Sequence, residues 1–238
     1  MEEFLLKNYI FLTKLVEGIA AIIGLICYKK YRNTYQKYFI WFLVYIIIFD
    51  YIGSYTIYVA KYEFLKPIKE ALKGTLLEKN YWVYTSFWSI GSILFFAFYY
   101  LRVITNRYFR QIIYYAAILF FLCSTVYIFL NITAFFKAAI PFIKVSGATV
   151  IFMCVIFYFI ELLKSDEVLT FYKSLNFYIS STIFIWWLVT TPVVFFEIYF
   201  SSADWNFIFL KGQIFLSMNM FMYLTFSFAL LWCKPQND

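Results

Sequence analysis

Apolar residues run almost unbroken for about 20 positions at a time along this chain, the length a helix needs to cross a hydrocarbon core about 30 Å thick. The polar residues gather between the runs. Read with that ruler, the sequence predicts seven spans: Tyr9–Tyr28, Tyr38–Ala60, Trp82–Ile104, Ile112–Asn131, Val145–Leu163, Asn176–Phe200 and Gly212–Trp232. The connectors hold nearly all the Lys and Arg and leave too little chain for a soluble unit. The expected fold class is therefore an all-α membrane protein, a seven-transmembrane-helix bundle whose single transmembrane domain covers residues 1–238. The opening MEEFLLKNYIFL has neither a basic leader nor a small-residue cleavage site, so the first run is expected to be retained as a span.

Two connectors have patterns of their own. FLKPIKEALKGTLLEK places Phe64, Leu65, Ile68, Leu72 and Leu76 at helical spacing with Lys between them. Pro67 suits the start of a helix and Gly74 its end, so the segment reads as a short amphipathic helix on the membrane surface or as a solvated linker. ITAFFKAAIPFIK, between the fourth and fifth spans, is a second such segment, interrupted by Pro141.

Charge sets the orientation. Lys and Arg near span ends favour the cytoplasmic side. KKYRNTYQK follows the first span, and RVITNRYFR follows the third with Arg102, Arg107 and Arg110. Seven spans put both on one side, which places the N-terminus outside and the C-terminus in the cytoplasm. The loop Lys61–Asn80 runs against the rule, because it would lie outside while carrying Lys61, Lys66, Lys69, Lys73 and Lys79. The expected location is the plasma (inner) membrane of a bacterium, with the basic inner loops on anionic lipid heads. That accounts for the net charge of +7 without nucleic acid.

Composition agrees with a membrane protein. Of 238 residues, 64% are hydrophobic and 14% charged, against about 45–50% and about 25% in soluble domains. There is no His, which removes the commonest metal ligand and general base. Cys27, Cys123, Cys154 and Cys233 form no CxxC and fall in or at the ends of apolar runs, so they read as small packing residues. No cofactor or metal is implied, and no catalytic constellation can be assembled, so an enzyme is not expected.

The costly residues are the acids inside the spans. Asp50, in YIIIFDYIGSY, lies roughly 18 Å into the second span, near the midplane. An Asp there costs about 2.5–3.5 kcal/mol on insertion scales, so it should face the bundle interior. Glu17 lies roughly 12 Å from the outer edge and Asp50 roughly 15 Å from it, so the two carboxyls share a depth on consecutive helices. They could share a proton or a cation. Lys14 occupies the same helix face as Glu17, and a Lys14–Glu17 ion pair is the bland alternative. For Asp50 the bland alternative is one interhelical hydrogen bond. Thr85, Ser89 and Ser92 make a stripe of small hydroxyls on the third span, suited to close packing or to lining a cavity. Pro192 should kink the sixth span, Asn219 lies about a third of the way into the seventh, and Glu161 and Glu197 sit near span ends. The candidate ligand or proton site is Asp50, Glu17, Lys14, Ser89 and Asn219.

Three function classes fit. One is a receptor-like or sensory protein that binds a small ligand in the outer half and acts through a separate cytoplasmic partner. Another is a proton- or cation-coupled transporter or channel using Asp50 and Glu17. The third is an accessory or scaffolding subunit, and a homo-oligomer is compatible with each. A retinal protein is not expected, because Lys211 precedes the last span and nothing within that span is basic.

Overall fold

The computed structural model describes residues 8–196 and 205–235. Ten helices carry the fold among these residues. They are α1 (Tyr9–Tyr31), α2 (Lys37–Gly53), α3 (Tyr55–Lys61), α4 (Lys66–Leu72), α5 (Tyr81–Val103), α6 (Arg107–Leu130), α7 (Ile132–Lys137), α8 (Pro141–Lys164), α9 (Leu175–Phe196) and α10 (Trp205–Trp232). Six helices, α1, α5, α6, α8, α9 and α10, are long and apolar enough to cross a membrane, and α2 with α3 makes a seventh span if the bent pair counts as one. The chain is an all-α, multi-pass membrane protein. The predicted end of the sixth span, Phe200, and Glu197 lie outside the described residues.

The second span is not the straight helix the sequence suggested. It bends by about 40° between Gly53 and Ser54. The Ser54 hydroxyl donates to the Asp50 carbonyl across 2.8 Å, a competitor for the backbone bond that bends helices. The third span departs as well: residues Tyr84–Ile90 of α5 form a π-helical stretch. The segment ITAFFKAAIPFIK is interrupted ahead of Pro141: α7 ends at Lys137, and Pro141 is the first residue of α8, where a missing N–H costs nothing. Pro192 lies inside α9, and the helix continues through it to Phe196.

Packing follows the sequence of contacts. α1 lies on α2, α2 on α5, α5 on α8, α8 on α9, α9 on α10, and α10 closes the ring on α1. α6 lies outside this ring against α5 and α8. Its outer positions Leu119, Leu122, Val126 and Phe129 are exposed and apolar, as a lipid-facing helix requires. Cys123 shares that exposed surface, while Cys27, Cys154 and Cys233 are buried. Burial pushes the Cys233 thiol up to about 11, with Lys30 pulling the other way. Gly147 of α8 meets Ile93 of α5 so closely that an added Cβ would lie 1.9 Å from Ile93 Cδ1.

The start of α1 and residues 62–80 define one face of the bundle, here the N-terminal face. Residues 32–36, 104–106 and 165–174 define the far face. The half of the bundle toward the far face is filled. Tyr31, Phe39, Tyr99, Tyr100 and Phe226 are fully buried there, and Phe39 meets Phe226 edge to face at 4.9 Å. Tyr99 donates to Asn176 Oδ1 at 2.7 Å, and Asn176 donates in turn to the Tyr35 hydroxyl. The Tyr100 and Ser180 hydroxyls bond at 2.7 Å. Lys30 donates to the Leu230 and Leu231 carbonyls at 3.0 and 3.1 Å, and so closes the C-terminal end of α10.

On the same face, Glu161, which the sequence places only near a span end, has a specific task. Its carboxylate accepts from the backbone N–H of Thr105 at 3.0 Å and of Asn106 at 2.6 Å, which pins the α5–α6 turn to α8. Arg102, Arg107 and Arg110 are exposed beside that turn. On the N-terminal face, α4 begins with Pro67 in its first turn, and Gly74 follows at φ +76, where a side chain would be strained. Phe64 is 77% exposed, and Ile68, Leu76 and Leu77 are exposed too. The segment is a helical surface element with Phe64, Ile68 and Leu76 uncovered and Leu65 and Leu72 half-buried.

Candidate functional site

A cavity of about 650 Å³ lies between α1, α2, α5, α8, α9 and α10 in the half of the bundle toward the N-terminal face. Its rim includes Glu78, Lys79, Asn80, Lys144 and Lys211. Its walls are aromatic: Phe49 from α2, Tyr84, Phe87 and Trp88 from α5, Trp186 and Trp187 from α9, Phe215 and Tyr223 from α10. Thr13 and Glu17 of α1 and Asp50 of α2 add polar groups between these rings.

Asp50 sits at the bend. Its carboxylate is held from two sides. Lys14 Nζ of α1 lies 3.6 Å from Oδ2, with both side chains mostly buried. The Tyr84 hydroxyl donates to Oδ1 across 3.1 Å. Lys14 is itself enclosed: Nζ donates to the Tyr58 hydroxyl at 2.9 Å and lies 4.3 Å from the centre of the Tyr51 ring. The expected Lys14–Glu17 pair is replaced by an interhelical one, because a lysine stem is long enough to cross to α2. Asp50, for which a proton or cation shared with Glu17 or one interhelical hydrogen bond was expected, has the hydrogen bond, from a phenol on the third span, and in addition a charged partner, Lys14.

Glu17 is left differently. It lines the same cavity, is 7% exposed, and its Oε2 has no hydrogen-bond partner among the described residues. Its electrostatic neighbours are Asp50, Lys14 and the Tyr223 hydroxyl, which is near enough to interact with the carboxyl but outside full hydrogen-bond geometry, and which has no other hydrogen-bond partner among the described residues. The two carboxyls thus face one cavity, as their matching depths suggested, yet only Asp50 has a cation in ion-pair range among the described residues.

The π-helical stretch shapes one wall. Tyr45 of α2 donates to the Phe87 carbonyl at 2.8 Å, inside the stretch where the regular ladder is displaced. Gly91 makes room for that hydroxyl: a Cβ there would lie 2.3 Å from it. Thr85 and Ser89 line the cavity and Ser92 does not, although all three are buried. The small-hydroxyl stripe is split between cavity wall and helix packing. Asn219 is a cavity residue whose Oδ1 accepts from Trp186 Nε1 at 2.9 Å, fixing that indole. Trp186 meets Trp88 at 5.8 Å and Trp187 at 5.2 Å, both edge to face. No group of three or more Cys, Asp or Glu able to hold a metal occurs among the described residues.

Of the candidate residues, Asp50, Glu17, Ser89 and Asn219 line the cavity, and Lys14 joins them through Asp50. The aromatic walls were not singled out from sequence, because this chain carries 23 Tyr and 32 Phe and no single one stands out. The chain matches no protein-family model, no curated protein and no solved structure, so its own residues carry the functional reading.

Proposed function

We propose that the protein is receptor-like: it admits a small ligand to the cavity from the N-terminal face and acts on a separate cytoplasmic protein through the far ends of its helices. In this reading the bundle has seven spans in a bacterial inner membrane, with the N-terminus outside. One observation carries it, the asymmetry of the interior. A cavity of about 650 Å³ opens toward one face, a size in the usual range of about 300–1,000 Å³ for ligand sites. The other half is packed with Tyr31, Phe39, Tyr99, Tyr100 and Phe226. A ligand can then enter and leave by one side only. Exposed Arg102, Arg107 and Arg110 on the far face suit anionic lipid heads.

A screen tests this. Compounds that raise the Tm of the purified protein should lose their effect on Ser89→Trp, which fills the cavity, and should not accumulate inside proteoliposomes. Stabilisers that act equally on both proteins would count against a cavity ligand.

A coupled transporter is the second reading, favoured by the bend at Ser54 opposite the π-helical stretch. Two interrupted helices beside a buried ion pair are features of transporter sites. Accumulation of a cavity ligand in proteoliposomes, driven by a proton or cation gradient, would decide for it.

A further inference from the structure

Seven buried side-chain polar atoms lack a hydrogen-bond partner among the described residues, and four of them belong to residues of this cavity: Thr13 Oγ1, Glu17 Oε2, Thr191 Oγ1 and the Tyr223 hydroxyl. Such atoms are normally satisfied when buried, so their gathering around one cavity calls for a polar occupant. Three of the four are hydroxyls, which can donate or accept. An ionised Glu17 can only accept.

Charge narrows the chemistry. Lys14 and Asp50 neutralise each other. Glu17 is then the deep carboxylate with no cation in ion-pair range among the described residues. The groups facing it are Asp50, Lys14 and neutral Tyr223. Glu78, Lys79, Lys144 and Lys211 also line the cavity, toward the N-terminal face; Lys144 and Lys211 are half-buried and each is engaged in an interaction of its own. The wall of the same cavity includes the indoles of Trp88 and Trp186, with Trp186 held by Asn219, one helical turn before Tyr223 on α10. Indole faces attract cations as well as flat apolar groups.

We propose that the cavity binds a small primary or secondary amine with a flat apolar body, its ammonium group held by the Glu17 carboxylate and its body against the aromatic wall that the touching rings of Trp88 and Trp186 form. This rests on the cavity being a ligand site, as proposed above. The ammonium N–H groups give the carboxylate the charged donors it lacks, the strong kind of hydrogen bond. The ligand enters from water, because the rim is charged.

The full chain in nanodiscs of phosphatidylcholine, a lipid without a primary amine, provides the test. Tryptophan fluorescence is followed while phenethylamine, phenethyl alcohol or 3-phenylpropanoate is added. The three share a body and differ in charge. Phenethylamine should bind at least about tenfold tighter than the alcohol, or about 1.4 kcal/mol, and the anion weakest. In Glu17→Gln the amine should lose that preference while the alcohol binds as before. Equal binding of amine and alcohol by the unaltered protein, or tighter binding of the anion, overturns the amine assignment and leaves the cavity a ligand site. Survival of the amine preference in Glu17→Gln overturns the role of Glu17. A saturable response to none of the three overturns the amine proposal together with the binding role. The comparison on the unaltered chain needs no variant to fold.

Discussion

The Tyr84 hydroxyl donates to Asp50 Oδ1 across 3.1 Å, and the two residues sit at the two irregular points of the bundle. Tyr84 is the first residue of the π-helical stretch in α5, and Asp50 lies one turn before the break between α2 and α3. Gly53 allows this, since a Cβ there would come within 3.0 Å of the Tyr84 ring. The irregularities are thus one feature seen from two helices. Each displaces backbone that the other satisfies, as Tyr45 does at the Phe87 carbonyl and Asn80 at the Gly53 carbonyl, 2.6 Å away.

The fit of Tyr45 against Gly91 gives a direct test. Gly91→Ala puts a methyl 2.3 Å from the Tyr45 hydroxyl, and overpacking of this kind costs about 1–3 kcal/mol. Tyr45→Phe removes the clashing oxygen and gives up one hydrogen bond, about 1 kcal/mol. The double variant should therefore be more stable than the sum of the two losses allows, by at least about 1 kcal/mol. Reversible unfolding in mixed micelles measures the four proteins, and additive losses would mean that the Tyr45 hydroxyl does not fill the space beside Gly91.

Gly147 tests the seam between α5 and α8 in the same way. Gly147→Ala collides with Ile93 Cδ1 and should lower stability by about 1–3 kcal/mol. Ile93→Val removes that atom and should restore part of the loss. A fully tolerated Gly147→Ala, read from an unchanged Tm, would show that the helices separate without penalty.

Much of the architecture was legible because a run of about 20 apolar residues has few fates other than a span. Helix ends came within a few residues for α1 and α5 and at the C-terminal end of α10, whereas α10 begins at Trp205, well before the expected Gly212. The bend was in reach too: Gly53–Ser54 is the kind of pair that marks a kink, and nothing periodic announced the π-helical stretch. The site was half legible. Asp50 and Glu17 were conspicuous by cost alone, and their common depth followed from helix rise. Their partners were not, because spacing along one helix pointed Lys14 at Glu17, while the real contact runs between helices. Glu161 shows the converse. An acid near a span end looks solvated until the fold brings two backbone amides to it.

Threading can be read by single-cysteine labelling. Lys69→Cys lies in α4 on the N-terminal face and Arg107→Cys at the start of α6 on the far face, both exposed. Cys27, Cys154 and Cys233 are buried, and Cys123 lies on the outer surface of α6, so the background should be low. In intact cells an impermeant maleimide should label Lys69→Cys and spare Arg107→Cys. The reverse pattern would invert the proposed orientation, and equal labelling would refute opposite faces.

The surface element 62–80 should lie in the lipid headgroup zone. Phe64 and Ile68 are exposed beside Lys66 and Lys69, the arrangement of an interfacial helix. Phe64→Trp should be quenched by lipids brominated near the glycerol end of the acyl chain. Phe64→Glu with Ile68→Glu should free the segment for limited proteolysis without unfolding the bundle. Absence of quenching would make it a solvated linker.

The ion pair between Lys14 and Asp50 decides what the second acid can do. Breaking a largely buried pair by removing one partner leaves a charge uncompensated, at a cost of about 3–5 kcal/mol. Asp50→Asn keeps an acceptor for Tyr84 but strands Lys14, so it should destabilise by about 3 kcal/mol even though the shape is unchanged. Lys14→Met strands Asp50 beside Glu17, two carboxyls with no cation, and should cost at least as much. The double variant strands neither charge and should recover most of the loss, since only the bond to Tyr58 and the contact with the Tyr51 ring are given up. A cycle of reversible unfolding measurements gives the coupling. Strong coupling makes Asp50 a fixed structural charge and leaves Glu17 as the acid open to a ligand. If Asp50→Asn is instead fully stable, Lys14 does not depend on it, and Asp50 becomes the acid free to titrate, the condition a coupled transporter requires.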